Sequence, residues 1–161
     1  MNSKEIKVGI ADMKIARREG TLITYALGSC IGITLYDPAI KLAGLLHIML
    51  PEAGNMADMN VYKFADTGIQ EMLRKMTAFG GIKRRYQCKI AGGAKMFEMG
   101  GAGGIGNIGE RNVRSVEAIM RTEQIHIMKK DVGLNYARTM MIDVDTGIVR
   151  VRTAGRQEVV L

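Results

Sequence analysis

Tryptophan is absent from the 161-residue chain, and five Tyr and three Phe are its whole aromatic complement. Single-stranded nucleic acid is gripped by stacking side chains interleaved with Arg and Lys. No compact stretch of that kind occurs, so no nucleic-acid partner is expected, and an acidic protein surface is an equally good partner for a formal charge of +7. Long apolar runs are also missing: nothing approaches the roughly eighteen residues of a membrane span, and Met1-Asn2-Ser3-Lys4-Glu5 lacks the apolar segment of a signal peptide. A cytoplasmic protein with no direct membrane insertion is expected. Cysteine is scarce, with only Cys30 and Cys88, and in a reducing compartment both are expected as free thiols. Neither CxxC nor HxxxH occurs, which leaves a zinc ion short of ligands, so no metal site is expected.

What is present is enough apolar content, 47%, for one core, and a single domain over residues 1–161 is expected. Thirteen Met supply adaptable core filler. Apolar and β-branched runs over Lys7–Asp12, Thr21–Leu27 and Ile31–Tyr36 predict strands, with a turn at Asp37-Pro38. Ala43–Leu50 is nearly all apolar and predicts a strand covered on both faces, followed by a surface loop over Glu52–Asn60. Apolar residues spaced by three and four from Tyr62 to Phe79 predict a helix stopped by Gly80-Gly81. Alternation around Tyr86, Cys88 and Ile90 predicts a strand that places Cys88 in the core. Val113, Val116, Ile119 and Met120 mark a second helix, with Asn112 as a possible N-cap. Ile125–Met128, Arg138–Asp145 and Ile148–Arg152 complete the strands, the last two joined in a hairpin at Thr146-Gly147. Together these describe an α/β fold: a layered α/β sandwich with a largely antiparallel mixed sheet and at least two helices.

The chemistry centres on Leu27-Gly28-Ser29-Cys30, at a junction between two strands, and on His47 inside a later apolar run. A small-residue bend can present a thiol at the surface of a sheet, and an imidazole on a neighbouring strand can serve as its base. His126 is the weaker alternative base. Activation by His47 would make iodoacetamide label Cys30 faster than Cys88. The tract from Gly92 to Gly109 holds eight glycines, and Gly104-Ile105-Gly106-Asn107-Ile108-Gly109 matches G-x-G-x-x-G. A dinucleotide fingerprint leaves a strand and opens a helix at once, whereas thirteen residues separate Ile90 from Gly104, so the tract reads as a loop, a lid or a substrate-binding edge.

Several segments in order resemble one family, the chemoreceptor glutamine deamidases known as CheD. They are Thr24 to Cys30, Leu35-Tyr36-Asp37-Pro38, His47 to Pro51, Tyr62 to Asp66, Ile90 to Ala94 with Met96-Phe97, and Asn107 to Asn112. The resemblance implies a protein-glutamine amidohydrolase with Cys30 as nucleophile, His47 as base and acid, and Thr24 as the group that orients the imidazole. The reaction would pass through a thioester and need no metal or organic cofactor. Backbone amides at Ser29 and Cys30 are the expected oxyanion donors. The implied partners are the cytoplasmic domains of methyl-accepting chemotaxis receptors and a CheC-type phosphatase, with Phe97 as a candidate exposed anchor. A non-catalytic adaptor that binds the CheC phosphatase or receptors is the alternative, and a nucleotide-binding protein the remote one.

Overall fold

Every residue of Ile31–Asp37 and of Leu42–Ile48 is buried, which for paired strands requires cover on both faces of their sheet. The computed structural model, which describes residues 4–55, 60–96 and 107–161, shows what supplies that cover. Strands β1 (Glu5–Lys7), β2 (Asp12–Arg17), β3 (Thr21–Leu27), β4 (Ile31–Asp37) and β5 (Leu42–Ile48) precede helix α1 (Ala65–Ala78). Strand β6 (Gln87–Gly92) and helix α2 (Ile108–Thr122) follow, then β7 (Ile127–Val132), β8 (Arg138–Asp143), β9 (Val149–Arg152) and β10 (Val159–Val160). The strands divide into two five-stranded sheets, β2-β5-β4-β6-β7 and β1-β3-β8-β9-β10. All pairs are antiparallel except β1 with β3 and β6 with β7.

One face of the first sheet, through Ile33, Leu35, Leu46 and Ile48, packs on Ile69, Met72, Val116 and Met120 of the helices. Its other face, through Leu45 and Ala91, meets Leu22, Leu27, Met140, Ile142 and Val151 of the second sheet. The layers are therefore helices, sheet, sheet. This bears out the layered α/β sandwich, with the strands divided between two sheets. No helix among the described residues is long and apolar enough to cross a membrane.

The crossover between the sheets places the thiol. The pairing of β3 with β8 slips between Thr24 and Leu27, and Ala26 takes a φ of 59°. Such a bulge bends the strand. Gly28-Ser29-Cys30 then carries the chain from the second sheet into β4 of the first. Strand β6 presses on this link from the side. Gly92 has a φ of 114°, and a Cβ there would lie 2.1 Å from the Cys30 carbonyl oxygen, so only glycine fits. Gly93 N–H donates to the Cys30 carbonyl at 2.9 Å and Ala94 N–H to that of Gly28 at 2.8 Å.

Several boundaries differ from the sequence expectation. Lys7–Asp12 is the junction between β1 and β2, not a strand. The helical period from Tyr62 begins as a 3-10 turn over Val61–Lys63 before α1, and Phe79 caps α1 while 56% exposed. Helix α2 starts at Ile108 with Asn107 as its N-cap, so Asn112 is not a cap but a fully buried residue one turn inside. The glycine tract thus does run into a helix, although Gly104 to Gly106 and the Phe97 anchor lie outside the described residues. Gly147 has a φ of 76° at the β8–β9 hairpin, where a Cβ would lie 2.5 Å from the Tyr36 ring.

Candidate active site

Thr24 comes from β3 of one sheet and His47 from β5 of the other, and both are wholly buried. Their side chains meet across the interface with Thr24 Oγ1 2.7 Å from His47 Nδ1. The same hydroxyl lies 2.7 Å from the Val8 carbonyl oxygen, to which it donates. A hydroxyl has one proton and a carbonyl can only accept. With that proton spent on Val8, Thr24 must accept from His47, so the ring carries its proton on Nδ1. Nε2 is left as a bare lone pair, buried and without a partner among the described residues. Desolvation alone holds the imidazole down at about 4, because a second proton on Nε2 would place an unpaired charge in the interior.

Cys30 reaches the same region from β4. Gly32 is directly opposite His47 in the β4–β5 ladder, and the register sum places Cys30 two residues away on the same face. Diagonal neighbours of this kind sit about 7–8 Å apart at the backbone, within reach for an imidazole and a thiol. Gly32 contributes no side chain between them: a Cβ there would lie 2.8 Å from Met140 Sδ. Cys30 is partly exposed and packs against the core between the sheets. Among the described residues its sulfur makes no hydrogen bond to His47. Burial pushes the Cys30 thiol up, opposed by its own backbone N–H. The resting site therefore pairs a neutral thiol with a neutral imidazole, not a thiolate with an imidazolium.

Two further features belong to the thiol. Neither the Ser29 nor the Cys30 N–H donates to another residue among the described residues, and the Cys30 N–H faces its own sulfur, where the expected oxyanion donors would have to point. Asn112 was read as a cap and missed as a site residue. Its Nδ2 donates at 2.9 Å to the Ser29 carbonyl and at 2.9 Å to that of Met49, fastening α2 to the chain on either side of the thiol and imidazole. The sequence signal was there: Asn112 lies four residues before Val116 and eight before Met120, a polar side chain on the inward stripe of the helix. His126 is exposed at the far end of α2, in a cleft with Glu117 and Gln124, and takes no part.

Two clefts lie near these residues. One of about 300 Å³ is lined by Lys7, Val8, Ile10, Tyr25 and Ala26, next to Thr24. Another of about 490 Å³ is lined by Gly93, Lys95, Val113, Arg114, Val132 and Leu134. Neither is lined by Cys30. Among the described residues, no three His, Cys, Asp or Glu side chains are placed to hold a metal ion together.

In the folded protein iodoacetamide is expected to spare Cys88 on burial alone, since that thiol is fully enclosed and pushed up to about 12. The contrast between the two cysteines therefore does not report activation. The contribution of His47 is read instead from His47→Gln, which is expected to slow Cys30 labelling several-fold near neutral pH. Equal rates for parent and variant across the pH range would show that the imidazole gives the thiol no assistance.

The fold and these side chains define a two-sheet α/β sandwich with a thiol and a threonine-oriented imidazole at the crossover between its sheets. The sequence profile described as CheD chemotactic sensory transduction matches residues 49–153. The chain is similar to the probable chemoreceptor glutamine deamidase CheD of Clostridium novyi, 45% identical over 156 residues covering 96% of both chains. It resembles the protein of the same description from Syntrophomonas wolfei at 45% over 157 residues, 97% of this chain and 98% of that one. A third, from Desulforamulus reducens, is 45% identical over 152 residues, 94% of this chain and 92% of its own. The chain belongs to the CheD family. The profile match begins two residues beyond His47 and so does not include Thr24, Cys30 or His47.

Proposed function

We propose that this chain is a protein-glutamine amidohydrolase that converts glutamine side chains of chemoreceptors to glutamate. The relatives' descriptions support the reaction class and the receptor as substrate. The observation that carries the mechanism is the Thr24–His47 hydrogen bond, which leaves Nε2 unprotonated on the sheet face that Cys30 shares.

A glutamine carboxamide seated over Cys30 meets a thiol whose proton passes to His47 Nε2 as sulfur attacks the carbonyl carbon. The oxyanion forms against the Ser29 and Cys30 N–H groups. His47 returns the proton to the amide nitrogen, the C–N bond breaks, and ammonia leaves a γ-glutamyl thioester on Cys30. Water, deprotonated by the same Nε2, then attacks that thioester; the C–S bond breaks, and glutamate and the free thiol result. Thr24 keeps Nδ1–H paired throughout, so Nε2 is always the atom that moves the proton. A net charge of +7 favours encounter with the acidic cytoplasmic coiled coil of a receptor. The family resemblance adds a CheC-type phosphatase as a second binding partner.

The test is to incubate the protein with receptor cytoplasmic fragments and map amide-to-acid mass shifts by peptide. Shifts at defined glutamines that vanish with Cys30→Ala are expected. A substrate left unchanged, or a shift undiminished in Cys30→Ala, would leave the adaptor alternative in its place.

A further inference from the structure

Helix α2 places one fully buried amide between the two chain segments that carry the chemistry. Asn112 Nδ2 lies 2.9 Å from both the Ser29 and the Met49 carbonyl oxygens. Carbonyls only accept, so both amide protons are committed and the side-chain orientation is fixed by its partners. The first partner belongs to the peptide that joins Ser29 to the nucleophile. In a trans peptide the carbonyl and the following N–H point in opposite directions. Holding the Ser29 oxygen towards α2 therefore turns the Cys30 N–H away from it, to the side of its own sulfur, and it donates to no other residue among the described residues. The second partner, Met49, follows β5 two residues beyond His47 and lies across from Cys30 when the β4–β5 register is extended. One side chain thus ties the approach to the thiol to the exit from the imidazole.

Packing alone does not account for an asparagine here. Its Oδ1 is buried with no partner among the described residues, a cost that an apolar residue on the inward stripe of α2 would not incur. Neighbouring contacts hold the helix in place to deliver it. Gly109 is pressed so closely to the Gly93-Ala94 backbone that a Cβ would lie 2.5 Å from the Ala94 carbonyl oxygen, and Ser115 Oγ donates to Pro51 O at 2.9 Å.

We propose that Asn112 is a positioning residue of the deamidation reaction, holding the Ser29–Cys30 peptide so that the Cys30 N–H faces the incoming carboxamide oxygen and fixing the spacing between Cys30 and His47. This rests on the deamidase function proposed for the site. Asn112 touches no reacting atom; it acts through the Cys30 peptide and through Met49.

The experiment compares the parent with Asn112→Ala and with Asn112→Asp, which keeps the shape but not both donors. Iodoacetamide labelling of Cys30 is followed against pH, with protection of Cys88 reporting the fold, and kcat and KM are measured on receptor fragments. Variants that keep Cys88 protected are expected to shift the Cys30 profile to higher pH. They are expected to lose about 10²-fold in kcat with KM within about twofold. An unchanged Cys30 profile and kcat in a folded variant overturn the proposal. So does loss of Cys88 protection in both variants, which would make Asn112 a residue of the fold alone. The labelling arm needs no substrate: a shifted profile together with a parent that deamidates nothing would uphold the positioning role and sink the deamidase function instead.

Discussion

Replacing His47 by glutamine is expected to lower kcat for receptor deamidation by about 10³–10⁴-fold, because the step it serves needs a proton taken from sulfur and given to an amide nitrogen that leaves poorly as an anion. The starting state makes the dependence steep. A thiol pushed up by burial and an imidazole held at about 4 do not exchange a proton on their own. In the proposed reaction deprotonation accompanies attack, with Nε2 as the acceptor. Thr24→Val keeps the shape but leaves Nδ1–H without an acceptor, freeing the ring to adopt the other tautomer; a loss of about 10²-fold is expected, with Thr24→Ser close to the parent. The pH profile separates this from general damage. Because the imidazole stays neutral down to about 4, kcat/KM is expected to hold nearly level from pH 7 to pH 5, where an ordinary histidine base would already be protonated. An acid limb centred near 6.5, or a Thr24→Val variant as active as the parent, would contradict a buried, threonine-oriented base.

How far such a site could be read from the sequence depended on whether the signal was local. The β-branched run of β3 and the uniformly apolar β5 follow from periodicity and composition, so Thr21–Leu27 emerged with its observed bounds and His47 was placed inside a doubly covered strand. Strand β2 was misplaced because Asp12 to Arg17 interleaves Lys14 and Arg17 with its apolar positions, as a sheet edge allows, and β10 is only two residues long. The split into two sheets was not legible. Gly28-Ser29 reads equally as a turn within one sheet or a passage between two, and only the long-range pairing of β3 with β8 decides. That decision matters for function, since it brings Thr24 against His47 from opposite layers. Thr24 is marked by family resemblance alone, and nothing in its own spacing requires it. Asn112 was misassigned because an asparagine near a helix start is a common cap, and its burial becomes apparent only once α2 is seen to begin four residues earlier.

Acid is expected to weaken the fold through the His47 imidazole. His47 binds its second proton near 6.5 when the chain is unfolded but only at about 4 when folded. Between those values the unfolded chain carries more protons than the folded one, and stability therefore falls as pH falls. Passing from above 6.5 to below 4 should cost about 3 kcal/mol, a large share of the net stability of a domain this size. Ion-paired carboxylates act in a different window. Burial pushes Asp37 up, but Arg85 and the N–H groups of Ile82 and Ala39 outweigh it and hold the group below 3.8, so its contribution persists above that pH and is lost only beneath it. Urea midpoints measured from pH 7 to pH 4.5 thus isolate His47. The parent is expected to lose most of this increment across that range, while His47→Gln, whatever its stability at pH 7, stays nearly flat. Parallel curves for the two proteins would place the titrating group elsewhere. A kcat/KM that stays level while stability is lost, and turns down only near 4, would tie both to one atom, Nε2, left without a partner among the described residues because Thr24 gives its only proton to Val8.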